Sequence, residues 1–341
     1  LTVNTQAINV TENGVMTITT GSASTTVNGV DADSGDTTTI DIVVDATAMA
    51  DQNDNTVLRL QGDAEYRLIN TAAADGDKVR VDLTDAQNVG EIELTGQGEY
   101  ELIETRSDID ATIAEGPLTV STRENAVDDI TVTAGDSRLT VNALNGDDSV
   151  TVAARNLTDD FNDSEVASGS VSGNDADNDS YELIATGSGD VTVNQLGADL
   201  DASGVDGTLS VNVLASGSFD TGQINDVDIL LGTADATINT QATTGATDVT
   251  LDATATAANS TVTLDGDGDA VVFAVGDGVT IDAHAEAFGG SLEVLTAALG
   301  AAESVTVNTG SAATTVRGSS GDITVNADSL VDSANNDDLT L

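Results

Sequence analysis

The chain has 341 residues, of which 39% are apolar and 2% aromatic, with 33 glycines, one proline (Pro117), no cysteine and no tryptophan. Its formal charge is −50, from 59 acids against nine bases, a field that opposes binding to nucleic acid or anionic lipid. No apolar run is long enough to cross a membrane, so no membrane insertion is expected, and there is no disulfide framework.

Val, Ile, Leu and Thr alternate with small polar residues along the whole chain, and short strands separated by Gly, Asn and Asp turns are the expected elements. In chain order the clearest strand triplets are "LTV" (118–120), "VTV" (191–193), "VTL" (262–264), "VTV" (305–307) and "ITV" (323–325). The best helical stretch, "EVLTAALGAAESV" (293–305), lies between strand triplets and is weakened by Gly300.

Longer blocks recur. An acidic glycine turn appears as "LQGDAEYRL" (60–68), "LTGQGEYEL" (94–102), "ATGSGDVTV" (185–193) and "LDGDGDAVV" (264–272). A second block is "GSASTTV" (21–27), "GDSRLTV" (135–141), "GTADATI" (232–238) and "GSAATTV" (310–316). A third is "DATIAEGPLTV" (110–120) and "DASGVDGTLSV" (201–211), with a looser copy at "DAHAEAFGGSLEV" (282–294). Their shared order marks a repeat protein. Three segments follow: an N-terminal β-repeat segment, 1–155; a polar acidic loop insertion, 156–180; and a C-terminal β-repeat segment, 181–341. The last finishes mid-repeat at "NNDDLTL" (335–341), as a window cut from a longer array would.

Two all-β architectures accommodate these blocks: an elongated β-solenoid resembling a parallel β-helix, and tandem immunoglobulin-like β-sandwich domains. The acidic glycine turns are spaced by 34, 91 and 79 residues, and the first interval is too short for a sandwich domain. Sandwich cores also use aromatic anchors, which are nearly missing here, so the solenoid is the expected fold.

The acidity fits either calcium-containing extracellular water or a high-salt medium. Short carboxylates spaced by glycine can fold round a hard cation, and Asp outnumbers Glu by 45 to 14. The best such stretch is "DGDGD", with Asp265, Asp267 and Asp269; Asp175, Asp177 and Asp179 repeat the spacing, and Asp147 and Asp148 form a weaker pair. Calcium is the expected ligand of these residues, against the simpler reading that Asp and Gly merely make turns. None completes an EF-hand loop, since Gly276 stands where its twelfth-position glutamate would be.

Catalysis has little support. His284 is the sole histidine and Lys78 the sole lysine, so neither a Ser–His–Asp nor a Ser–Lys arrangement can be assembled with independent support. A carboxylate pair for polysaccharide cleavage would need a cleft and a carboxyl with a raised pKa. Five Asn-X-Ser/Thr sequons (Asn9, Asn156, Asn162, Asn178, Asn259) are what so Asn-, Ser- and Thr-rich a composition yields by chance.

The stretch "TGSGDVTVNQLGADLDASGVDGTLSVNV" (186–213) resembles the repeats of giant bacterial cell-surface proteins: S-layer proteins and large type-I-secreted, RTX-like adhesins. The strict Gly-Gly-X-Gly-X-Asp nonapeptide is absent, and "NGDDSVTV" (145–152) and "GSGDVTV" (187–193) are partial echoes of it. The resemblance implies secretion to the cell surface, calcium-dependent folding and a structural role. The expected protein is thus a non-enzymatic extracellular segment of a surface layer, filament or stalk, partnered by copies of itself and by cations. The alternative is an adhesin module for a surface or cell-surface polysaccharide, which an exposed groove carrying Tyr66, Tyr100 or Tyr181 would mark.

Overall fold

The structure, a computed structural model, describes residues 1–4, 15–29, 42–50, 56–62, 64–72, 78–86, 91–135, 137–145, 147–154, 157, 183–196, 200–213, 226–233, 235–240, 248–253, 256–266, 269–274, 277–283, 291–296, 299, 303–309, 313–318, 321–327 and 339–340. Among the described residues it is all-β apart from one 3-10 turn, Thr47–Met49. The chain divides into two compact units, Leu1–Leu157 and Thr158–Leu341.

The first unit begins with β1 (Thr2–Asn4), β2 (Met16–Thr19), β3 (Thr25–Gly29), β4 (Ile42–Asp45), β5 (Val57–Gly62), β6 (Tyr66–Ile69) and β7 (Lys78–Asp82). It continues with β8 (Ile92–Gly96), β9 (Glu99–Thr105), β10 (Ile109–Ala114), β11 (Leu118–Thr122), β12 (Asp129–Thr133), β13 (Leu139–Ala143) and β14 (Ser149–Ala153). The second unit opens with β15 (Leu183–Gly187), β16 (Asp190–Leu196), β17 (Leu200–Val205), β18 (Leu209–Val213), β19 (Asp226–Leu231), β20 (Ala236–Thr240), β21 (Asp248–Ala253) and β22 (Thr261–Gly266). It closes with β23 (Asp269–Ala274), β24 (Val279–Asp282), β25 (Leu292–Thr296), β26 (Ser304–Asn308), β27 (Thr314–Gly318), β28 (Asp322–Asn326) and β29 (Leu339–Thr340).

Within each unit odd strands pair with odd and even with even, always parallel, so every coil gives one strand to each of two sheets. This is a parallel β-solenoid. Parallel pairing rules out immunoglobulin-like sandwiches, whose sheets are antiparallel. Of the stretch with the best helical pattern, residues 293–296 lie in β25 and 304–305 in β26.

Burial alternates along the strands as the apolar pattern requires, as in β13, where Leu139, Val141 and Ala143 are buried. Parallel register then stacks like on like: Leu118 on Leu139, Val120 on Val141, Ile130 on Val150 and Val132 on Val152. Each such side chain contributes roughly 1.5–3 kcal/mol on leaving water. These columns of Val, Ile, Leu and Ala form the core, and small residues suit them because every coil repeats the same narrow interior.

The uneven spacing of the acidic glycine turns has a structural cause. Their glycines end β5, β8, β15 and β22, so the 34-residue interval is three strands and the intervals of 91 and 79 residues are seven strands each, counted among the described residues. Both counts are odd. Gly62 and Gly96 therefore end strands of opposite sheets in the first unit, as Gly187 and Gly266 do in the second. One turn design serves both corners of the coil.

All four glycines have positive φ, between 92° and 112°. A Cβ on Gly96 would also overlap the carbonyl oxygen of Asn70 in the preceding coil. Gly96→Ala is expected to lower stability by about 1–3 kcal/mol or more, whereas Gly21→Ala, with nothing within 4 Å of the added carbon, should leave it unchanged. Urea denaturation of the two variants side by side checks this.

Candidate functional site

The acidic turn is assembled on the coil before it. Asn70, fully buried, accepts the Gly98 N–H at its carbonyl (2.9 Å) and donates its side-chain amide to the Glu99 carbonyl (3.0 Å). The following coil then seats on the turn, with Glu115 N–H donating to Gly96 O at 2.8 Å. The same bond recurs in the second unit between Asp206 N–H and Gly187 O, again at 2.8 Å. Five residues beyond the turn acid, Glu104 and Gln195 both adopt φ 59°, and a register shift lies beside each. The repeat thus carries its β-bulge from copy to copy.

The tyrosines belong to this joint. Tyr66 and Tyr100 are fully buried, and their hydroxyls donate to Gln61 O and Thr95 O, each at 2.9 Å. Those carbonyls immediately precede the turn glycines. Tyr66 also accepts the Gly29 N–H at 2.9 Å. Burial drives the Tyr100 hydroxyl pKa upward, so it remains a neutral donor. Neither ring lies in an exposed groove; Tyr181 falls outside the described residues.

The "DGDGD" stretch does not lie on one element. Asp265 sits within β22 and Asp269 opens β23, on the other sheet; Asp267 lies outside the described residues. Asp265 occupies a column in which Asn194, Asn212 and Asn239 precede it coil by coil, and its Oδ1 accepts the Gly266 N–H at 2.8 Å. Asn212 donates to Asn194 in that column at 2.9 Å, so Asp265 stands in an amide ladder. Asp269 Oδ1 accepts the Ser291 N–H (2.6 Å) and hydroxyl (2.8 Å).

That last contact is a recurring device. Asp108, Asp190, Asp235 and Asp277 likewise accept the backbone N–H of Thr131, Thr208, Thr261 and Ser304, 18 to 27 residues ahead, at 2.7–3.0 Å. A carboxylate at or just before the start of one strand thereby receives an N–H from the strand one coil on, at or next to its first residue except for Thr131, which lies inside β12. Other aspartates close local turns: Asp82 on Thr84, Asp110 on Thr112 and Asp201 on Ser203.

Asp147 and Asp148, neighbours in sequence, have different surroundings. Asp147 is exposed. Asp148 is 2% exposed and accepts the Thr122 hydroxyl, the Asn145 N–H (2.9 Å) and the Asp128 N–H (2.8 Å). Asp128, also buried, accepts Arg123 through its N–H and guanidinium, the closest contact being 2.6 Å. This bond, more than any other effect, raises the Arg123 pKa, although its burial acts the other way. The pair of carboxylates stitches the corner between β11 and β12 to that between β13 and β14.

Among the described residues no group of three or more His, Asp or Glu side chains could hold a metal ion. Asp175, Asp177, Asp179 and His284 lie outside those residues. Backbone register does bring together three aspartates that sequence spacing hides, with Asp226 opposite Asp248 and Asp248 opposite Asp269. Among the described residues one carboxyl has a raised pKa: partial burial, then the charges of Asp110, Asp108 and Glu93, lift Glu91 above its ordinary value.

Ion pairs in the first unit join neighbouring coils: Arg59 to Asp82 (3.1 Å), Arg67 to Glu93 (2.7 Å), and Lys78 and Arg80 to Glu101 (3.0 and 3.6 Å). In the second unit Arg317, its sole base, pairs with Glu293 at 3.2 Å. No protein-family model matches the chain, and comparison with curated proteins and with solved structures finds none significantly similar.

Two predictions follow from these carboxylates. Asp148→Ala removes the acceptor of the buried Asp128 N–H and of the half-buried Asn145 N–H, while the Thr122 hydroxyl keeps the Asn142 carbonyl. It is expected to lower stability by about 2 kcal/mol or more, with Asp147→Ala close to neutral, measured by chemical denaturation. For Asp82, burial pushes the carboxyl up, but the Thr84 hydroxyl and N–H and the Arg59 guanidinium outweigh it and hold the pKa below the ordinary 3.8. Its stabilisation is complete above that value and is lost as pH falls through the lower native value. Asp82→Asn should therefore flatten the loss of thermal stability below about pH 4, read from melting curves across a pH series.

Proposed function

We propose that the chain is a structural segment of an extracellular surface layer, filament or stalk, secreted to the cell surface, and that its acidic exterior binds calcium. The observation that carries this reading is the stack of in-register parallel coils whose apolar side chains face inward while a charge of −50 is left to the rest. Such a stack propagates by adding coils, and each coil is held only by its neighbours. Cations neutralise the repeated carboxylates within the chain and bridge neighbouring copies of it.

The buried tyrosines support structure over ligand capture, because the rings that would dock a sugar are engaged in the turns. The adhesin alternative gains no observation of its own. A catalytic reading has only the raised pKa of Glu91 in its favour, and that carboxyl lies among other acids without a histidine or lysine partner in this set.

The test is thermal melting of the full chain with calcium and with chelator at low ionic strength, joined to electron micrographs of the same samples. Calcium at about one hundred times its dissociation constant should add roughly 2.7 kcal/mol per site, and sheets or filaments should form with it. Identical melting in chelator would remove the calcium claim, and isolated particles at every calcium level would remove the assembly claim.

A further inference from the structure

The acids and bases are divided unequally between the two units. The first, 1–157, holds 28 acids and eight bases; the second, 158–341, holds 31 acids and one base. Parallel register turns this difference in composition into a difference in stacking, because each residue lies opposite its equivalent one coil away, roughly 4.8 Å distant.

In the first unit, acids face bases across coils. Arg59 lies opposite Asp82, Arg67 opposite Glu93 and Arg80 opposite Glu101, and all three are ion pairs. Two acids also meet in register at Glu93 and Asp110, where Arg67 sits on Glu93 at 2.7 Å, although Glu91 beside them still feels the charges of Asp110, Asp108 and Glu93. In the second unit the corresponding run is Asp226, Asp248 and Asp269, three acids in successive coils with no base in register. Like charges in register oppose strand pairing, and without a base opposite them that repulsion is relieved chiefly by screening or bound cations. The second unit has one base, at Arg317, to do the same work.

From this we infer that cation dependence is localised. The second unit stacks its coils only when cations screen or bind its carboxylates, and the first unit stays folded without them. The chain is therefore a two-part device in which falling ionic strength or loss of divalent cations opens residues 158–341 while residues 1–157 persist. This rests on the cation-binding reading proposed above and adds where in the chain the dependence lies.

Hydrogen exchange of the full chain, resolved by peptide, tests it across sodium chloride from about 1 M to about 0.01 M, where the screening length grows from roughly 3 to 30 Å. Strands β16–β28 should exchange about tenfold faster at the low end while β3–β13 change less than about twofold, and adding calcium at low salt should restore the former. Asp248→Lys, which places a base between Asp226 and Asp269, should shift the opening of the second unit to severalfold lower salt. Asp248→Asn should do so to a smaller extent, and serves if the lysine variant does not fold. Opening of both units at one salt concentration, or of the first unit before the second, would overturn the localisation while leaving cation binding intact. No response of either unit to salt or calcium would overturn both.

Discussion

Everything in this protein depends on in-register parallel stacking. Once a strand is hydrogen-bonded to its equivalent in the next coil, each side chain is committed to lie over its counterpart, and any property of one coil is multiplied along the stack. Aliphatic residues benefit: Val over Val and Leu over Leu fill most of a narrow interior, which Tyr66 and Tyr100 join beside the turns. Asparagines benefit as well, since an amide can donate to one neighbouring coil and accept from the other; Asn326 donates to Asn308 of the preceding coil at 2.7 Å. Charges alone are penalised by the arrangement, and the distribution of acids is best understood as the management of that penalty.

Aspartate is managed in two ways. Many aspartates are turned to the backbone, accepting either the local N–H two residues on or the N–H that starts a strand one coil on, so the carboxylate becomes part of the coil-to-coil fastening. Asp128 and Asp148 extend this inward, where burial is tolerable because Arg123, Thr122 and three backbone N–H groups satisfy them. The second way is ion pairing across coils, which the first unit uses and the second, with one base, barely can. Exposed pairs of this kind are worth little individually. In a stack their value is that they replace a like-charge contact with an attractive one at the same position.

Much of the architecture was legible in the sequence, because strand alternation and block repeats are local properties. The turn glycine could be placed at a strand end from "LQGDAEYRL" and "LTGQGEYEL" alone, and positive φ at Gly62 and Gly96 is the reason it is there. What spacing could not give was register. Asp265 and Asp269 are four residues apart in sequence yet belong to different sheets, whereas Asp226, Asp248 and Asp269 are distant in sequence and lie opposite one another. The adjacent Asp147 and Asp148 looked equivalent and differ completely in burial, because only Asp148 faces the Thr122 and Asp128 corner one coil earlier. Tyr66 and Tyr100 were legible only as scarce aromatics; their place under the turn needed the coil geometry.

The odd strand count of the repeat has a further consequence for an acidic surface. With an even count, every copy of a turn would fall on the same sheet-to-sheet corner, and its carboxylates would line up along one edge of the stack. Seven strands send Gly187 and Gly266 to opposite corners in the second unit, and three strands do the same for Gly62 and Gly96 in the first. Successive acidic turns are therefore separated by the width of the coil as well as by its rise. A repeat of odd strand number dilutes its own charge without changing a residue. It also presents the same turn chemistry on both corners, so a cation-bridged contact would not be confined to one edge of either unit.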